Sequence, residues 1–213
     1  MKFFLYSKWK YENNFLYVSI LSCFLLIAFY HLSSGFVMSS DSYRYSKWAD
    51  TLISFDFNFY KFYIIDKTPN RPSLFFSSIP VLLISLCKVI FVNEWKFAFF
   101  LLNLSLLFFS FIIFTKCLLS IGIRPVLVSI TFPLILISVD VLTYPKFILS
   151  DMIYSFFVIA AVYLITESIV KNKINFFKIC GIILIILASR PSSIPVIFAI
   201  ILFLIISKFE FFL

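Results

Sequence analysis

Glycine and charge are scarce in this chain, and histidine occurs once. Of 213 residues only 3 are glycine and 13% are charged, whereas 62% are hydrophobic. A water-soluble domain cannot hide that much apolar surface. The composition is that of a polytopic α-helical membrane protein. Cys23, Cys87, Cys117 and Cys180 lie singly in or beside apolar runs, and no pair has zinc-ligand or redox spacing. They read as small buried apolar residues. No internal repeat or low-complexity linker is visible. The 31 phenylalanines and many isoleucines look like an AT-rich coding bias and carry no chemistry.

Positive charge is present in excess, with a net charge of +8. Nucleic acid is nevertheless excluded as a partner. The lysines lie scattered at the ends of apolar runs, which is the topology signal of a membrane protein rather than a stripe that tracks phosphates. Lys2, Lys8 and Lys10 precede the first apolar run, 15–34. That run is longer than a signal-peptide core and lacks a small-residue cleavage site, so it reads as an uncleaved anchor.

A helix needs about 20 apolar residues to cross a hydrocarbon core ~30 Å thick. Candidate stretches are 15–34, 73–92, 97–115, 125–143, 152–170 and the long run 174–207. As one helix the last would measure about 51 Å, too long for a single crossing. Arg190-Pro191 interrupts it, and proline breaks a helix. It therefore splits into two short spans with Arg190 at the turn.

Parity follows from the basic loops, which belong on the cytoplasmic side. With the N-terminus inside and 73–92 not crossing, Lys116, Arg124, Lys171, Lys173, Lys178 and Lys208 all fall inside, and the outer turns keep only Lys146 and Arg190. If 73–92 crosses, the basic loops flip outward. The expected fold is therefore an all-α polytopic transmembrane bundle of about six spans, one domain over 1–213. It has a cytoplasmic tail (1–14), a first span (15–34), an outer loop with interfacial or re-entrant helices (35–96) and spans two to six within 97–207. The expected location is the plasma (inner) membrane.

In the outer loop, Tyr45, Trp48, Ala49, Leu52 and Ile53 fall on one helical face. Such a helix is expected to lie in the interface with Trp48 and the tyrosines at headgroup depth. Asp41 opens it. Taken singly, the ionisable residues at span ends have plain explanations. Asp41 can cap a helix, Asp151 can favour a helix N-terminus, and Arg71 and Arg190 can snorkel. The threading puts all four on the outer face, where two acids and two arginines would suit a polar anionic substrate. His31, near the outer end of the first span, reads as a buried or interfacial histidine rather than a ligand.

Asp41-Ser42-Tyr43-Arg44-Tyr45, Asn70-Arg71-Pro72, Leu149-Ser150-Asp151-Met152 and Ala188-Ser189-Arg190-Pro191 resemble, in order and spacing, motifs of the integral-membrane glycosyltransferases of the GT-C fold, the group with protein mannosyltransferases and lipid A aminoarabinose transferases. Two departures are evident. Ser42 stands where that family has a second acid, and Pro72 stands alone where it has tandem prolines. Family members usually run longer, so the chain is expected to correspond to an N-terminal module. The resemblance implies inverting transfer of a sugar from a polyprenyl-phosphate carrier to a glycan, lipid or protein acceptor at the outer face. It implies Asp41 and Asp151 as catalytic residues, and Arg71, Arg190, Tyr43 and Arg44 as substrate-binding ones. Arginine suits the donor phosphate. Mg or Mn would suit carboxylate ligands, but no cluster in the sequence demands a metal.

Other expectations are a non-catalytic copy of such a transferase, a polysaccharide polymerase, or a lipid-linked-sugar transporter. A transporter should carry charges at mid-membrane and two pseudo-symmetric halves. The charges here lie at span ends.

Overall fold

The computed structural model describes residues 2–65, 77–136, 138, 144–171 and 175–210. Its helices are α1 (Lys2–Ser34), α2 (Ser40–Ser54), α3 (Phe59–Ile65), α4 (Ser78–Phe91), α5 (Trp95–Ser120), α6 (Pro125–Leu136), α7 (Asp151–Val170), α8 (Phe176–Leu187) and α9 (Ile194–Glu210). Among the described residues there is no strand, only an isolated parallel bridge between Val37 and Phe147.

Three stretches of the described chain, Asn13–Ser34, Ser78–Ser120 and Asp151–Val170, are long and apolar enough to cross a membrane. Within an apolar 18-residue window of each, only 28%, 39% and 28% of the residues are buried in the protein, so most of that apolar surface faces outward. Val18, Leu25, Phe29, Phe109 and Val162 are among the large side chains left exposed. Apolar surface on that scale marks a face turned to lipid or to another protein, and the chain is an all-helical protein with three helices long and apolar enough to cross a membrane.

Two sets of contacts fix which helix ends lie together. At one end the Val37 N–H donates to the Lys146 carbonyl at 2.8 Å, and the Ile79 N–H donates to the Ala188 carbonyl at 3.1 Å. The end of α1, the starts of α4 and α7 and the end of α8 therefore meet. At the other end Cys117 Sγ lies 3.5 Å from Thr166 Oγ1, joining the C-terminal turns of α5 and α7. Between them, Ser19 Oγ donates to the Ser129 carbonyl at 3.1 Å, pinning α1 to α6.

The core has three parts. Leu16, Ile20, Cys23 and Ile27 form one face of α1, which packs on Leu107 and Phe111 of α5 and Val128 and Phe132 of α6. Ala161 and Ile165 of α7 meet Ile179 and Ile186 of α8 and Ile200 of α9. Tyr45, Trp48, Ala49 and Leu52 of α2 pack with Val81, Ile84 and Cys87 of α4, Phe99 of α5 and Ile148 and Ile153 around the start of α7.

That last cluster changes the reading of α2. Its apolar stripe is covered by α4 instead of lying open to the interface. Ser85 Oγ donates to the Ala49 carbonyl at 3.2 Å. Lys88 Nζ donates to Asp50 at 2.6 Å and to the Ser46 carbonyl at 2.9 Å, and sits 4.8 Å from the Trp95 ring centroid. The limits of one helix also differ from expectation. α5 runs from Trp95 to Ser120, beyond both ends of 97–115. α6 is described from Pro125 to Leu136; the expected end of that stretch, residues 137 and 139–143, lies outside the described residues.

Candidate functional site

Asp41, Asp151 and Arg190 converge on one cavity of about 220 Å³, together with Arg44, Tyr45, Ser77, Leu149, Ser150 and Ser192. Each arrives there by local chemistry. Ser39 caps α2: its hydroxyl accepts from the Ser42 N–H at 3.1 Å, and the Ser42 hydroxyl accepts from the Ser39 N–H at 3.0 Å. This reciprocal pair is a capping box. The cap expected of Asp41 is thus provided by Ser39, and Asp41 sits in the first turn with its carboxylate available to the cavity. Ser42, where the resembling motif has an acid, is fully buried and serves the cap.

Asp151 is the first residue of α7 and is buried. The segment before it is held from two sides. Asn103 of α5, also buried, donates from Nδ2 to the Phe147 carbonyl at 3.0 Å and to the Pro145 carbonyl at 3.4 Å. Lys146 Nζ donates to the Tyr30 hydroxyl at 3.0 Å, with its charge 4.3 Å from that ring's centroid. Arg190 owes its position to Pro191. A residue before proline is pushed out of the helical region, and Arg190 is extended at φ −159° and ψ 142°. α8 ends at Leu187, and the next helix begins after the proline.

The Arg190 guanidinium donates to the Asp151 carboxylate. Arg44 Nη2 lies 3.0 Å from Asp41 Oδ1, and its Cζ sits 5.3 Å from the Trp48 ring centroid and 5.9 Å from that of Tyr45. The two pairs differ in exposure. The Asp41 side chain is 54% exposed and that of Asp151 is 10% exposed. Both carboxylates of the cavity thus face a guanidinium, that of Asp41 half-exposed and that of Asp151 buried against Arg190. Beside the cavity, burial raises the Tyr63 phenol pKa, an effect partly offset by its hydrogen bond with Ser78.

The structure does not bring every expected residue here. Tyr43 is exposed and does not line the cavity. Arg71 lies outside the described residues. His31 is buried against Tyr30 and is not part of the lining. Among the described residues no three His, Cys, Asp or Glu side chains cluster as a metal site. The donor set also fits a divalent ion poorly, because each carboxylate already faces a guanidinium. Ser77 and Ser192 were not anticipated. The signal for Ser192 was its place directly after Arg190-Pro191, and for Ser77 its place just before the Pro80 helix. Comparison of the chain with protein families, with curated proteins and with solved structures finds no match.

Proposed function

We propose that the chain is a membrane glycosyltransferase that moves a sugar from a polyprenyl-phosphate-linked donor to an acceptor hydroxyl at the outer face of the plasma (inner) membrane, with inversion at the sugar carbon. The observation that carries this reading is the shared cavity of Asp41, Asp151 and Arg190 at one end of the bundle. Those residues come from the first turn of α2, the start of α7 and the turn after α8.

The chemistry needs one displacement. The acceptor oxygen bonds to the anomeric carbon as the carbon–oxygen bond to phosphate breaks, and the electron pair leaves with the polyprenyl phosphate. Asp41, the more exposed carboxylate, takes the hydroxyl proton, as a general base within reach of solvent and substrate can. Arg190 neutralises the departing phosphate by the paired hydrogen bonds arginine makes to such groups. Asp151 holds Arg190 in place. Arg44, spread over Trp48 and Tyr45, supplies the second cation.

The membrane arrangement we propose has six crossings, by α1, α5, α6, α7, α8 and α9, with the N-terminus cytoplasmic. The alternation of helix ends supports it, as does the basic character of Lys116, Arg124, Lys171 and Lys178 at the end away from the cavity. α4 packs on α2 and α5, and contacts near both its ends, Ile79 to the Ala188 carbonyl and Lys88 to Asp50 of α2, support keeping it on the cavity side without crossing. α6 and α8 have 12 residues each, about 18 Å, so they cross with help from flanking residues and local thinning of the bilayer.

Binding of a polyprenyl-phosphate sugar to the purified chain tests the reading. Arg190→Ala should weaken donor binding by about tenfold, the effect of losing a charge-assisted bond worth about 1.5 kcal/mol. Equal donor affinity in the variant would remove the cavity from donor recognition.

A further inference from the structure

A second cavity lies at the opposite end of the bundle, and nothing in the proposed reaction uses it. Tyr17, Ile20 and Leu21 of α1 and Phe108, Ile112 and Lys116 of α5 enclose about 320 Å³ between them. That volume falls in the range of ligand sites. The walls are almost wholly apolar. Thr115, which also borders it, spends its hydroxyl on the Phe111 carbonyl at 2.8 Å within α5. Lys116 is the one cationic lining residue, and it makes no hydrogen bond or ion pair among the described residues.

The groove's position is fixed by its neighbours. Cys117, next to Lys116, touches Thr166. Asp151 of the first cavity is 15 residues earlier on α7, a separation of about 22 Å along the helix. The groove is flanked by outward-facing apolar side chains, Val18 and Leu25 on α1 and Phe109 on α5. It therefore opens sideways into hydrocarbon and not into water. An alkyl chain is the occupant that matches such walls, and an unpaired ammonium at one end calls for an anion on the same molecule.

We propose that this groove binds an anionic phospholipid of the leaflet opposite the Asp41 cavity, with one acyl chain between α1 and α5 and its phosphate on Lys116. The charge argument separates this from ordinary lipid contact. A zwitterionic lipid brings its own ammonium to the headgroup layer, whereas an anionic one leaves a net negative charge for Lys116. Basic residues close to such a leaflet each gain from its negative potential. Lys116 differs from Lys171 in sitting over a groove. Lys171 is already paired with Glu167 at 2.6 Å.

The test is native mass spectrometry of the detergent-purified full chain, titrated with phosphatidylglycerol or phosphatidylcholine of the same acyl chains. Phosphatidylglycerol should bind in preference, and Lys116→Gln should reduce that preference about fivefold, the weight of one lysine at an anionic surface. Lys116→Arg should keep it. Lys116 is exposed, so neither change threatens folding. Ile112→Trp, which fills the groove without altering charge, should release the bound lipid. Equal binding of both lipids, or an equal loss of preference in Lys171→Gln, would overturn the assignment. So would displacement of phosphatidylglycerol by an equal amount of a polyprenyl phosphate.

Discussion

The Arg190 guanidinium donates a hydrogen bond to the Asp151 carboxylate across 39 residues of chain. It links the turn after α8 to the first residue of α7. The two partners are unequal, since the Asp151 side chain is 10% exposed and that of Arg190 is 40% exposed. Removing the arginine strands a buried carboxylate, whereas removing the acid frees a cation that can turn to solvent. Arg190→Ala should therefore cost about 1–3 kcal/mol, and Asp151→Asn clearly less. Thermal unfolding in detergent reads this asymmetry. Equal losses, or a larger loss in Asp151→Asn, would mean the pair does not bear on stability as described.

The capping box at the start of α2 supports a second expectation. Ser39→Ala removes the side chain that accepts from the Ser42 N–H, a change that costs about 1 kcal/mol at a helix N-cap. Hydrogen exchange at residues 40–43 should quicken while α7 is unaffected. Unchanged exchange there would show that α4 packing alone holds the turn bearing Asp41.

Asn103 sits deep in α5 and holds the segment before Asp151 from behind. Asn103→Ala should leave the Phe147 carbonyl without its donor, destabilise the protein by about 1–3 kcal/mol and lower sugar transfer through a displaced Asp151. Asn103→Gln keeps the amide but lengthens its stem, so partial function is expected. Full activity in Asn103→Ala would separate this segment from the site.

Single cysteines test the arrangement in the membrane. Cys23, Cys87 and Cys117 are buried, and Cys180 can be replaced by serine. In that background Tyr43→Cys and Ser192→Cys should react with a membrane-impermeant maleimide from outside intact cells. Lys116→Cys and Lys171→Cys should react only after the membrane is opened. Outside labelling at position 171 would reverse the topology.

Several of these features were legible in the sequence, and the reasons are physical. The helix-end positions of Asp41, Asp151 and Arg190 followed from apolar run lengths, because hydrophobic length acts over whole helices. The break at Arg190-Pro191 was legible because proline acts locally. Side-chain direction was not. Tyr43 belongs to the same short motif as Asp41 but is exposed and does not line the cavity, since residues two apart on a helix point about 200° apart. Capping by Ser39 and Ser42 was hidden because serine, aspartate and asparagine compete for the same role. The stripe of α2 was visible, but a periodic pattern does not say whether lipid or another helix covers it, and here α4 does.

The most direct measurement is transfer of a labelled sugar from a polyprenyl-phosphate donor by the purified full chain, wild type beside Asp41→Asn. Asp41 is half-exposed, so the variant should fold and insert normally. The wild type should transfer sugar with inversion and the variant should lose at least a hundredfold in rate, the lower range for a general base. Transfer at an undiminished rate by Asp41→Asn, or none by the wild type with several such donors, would contradict the account.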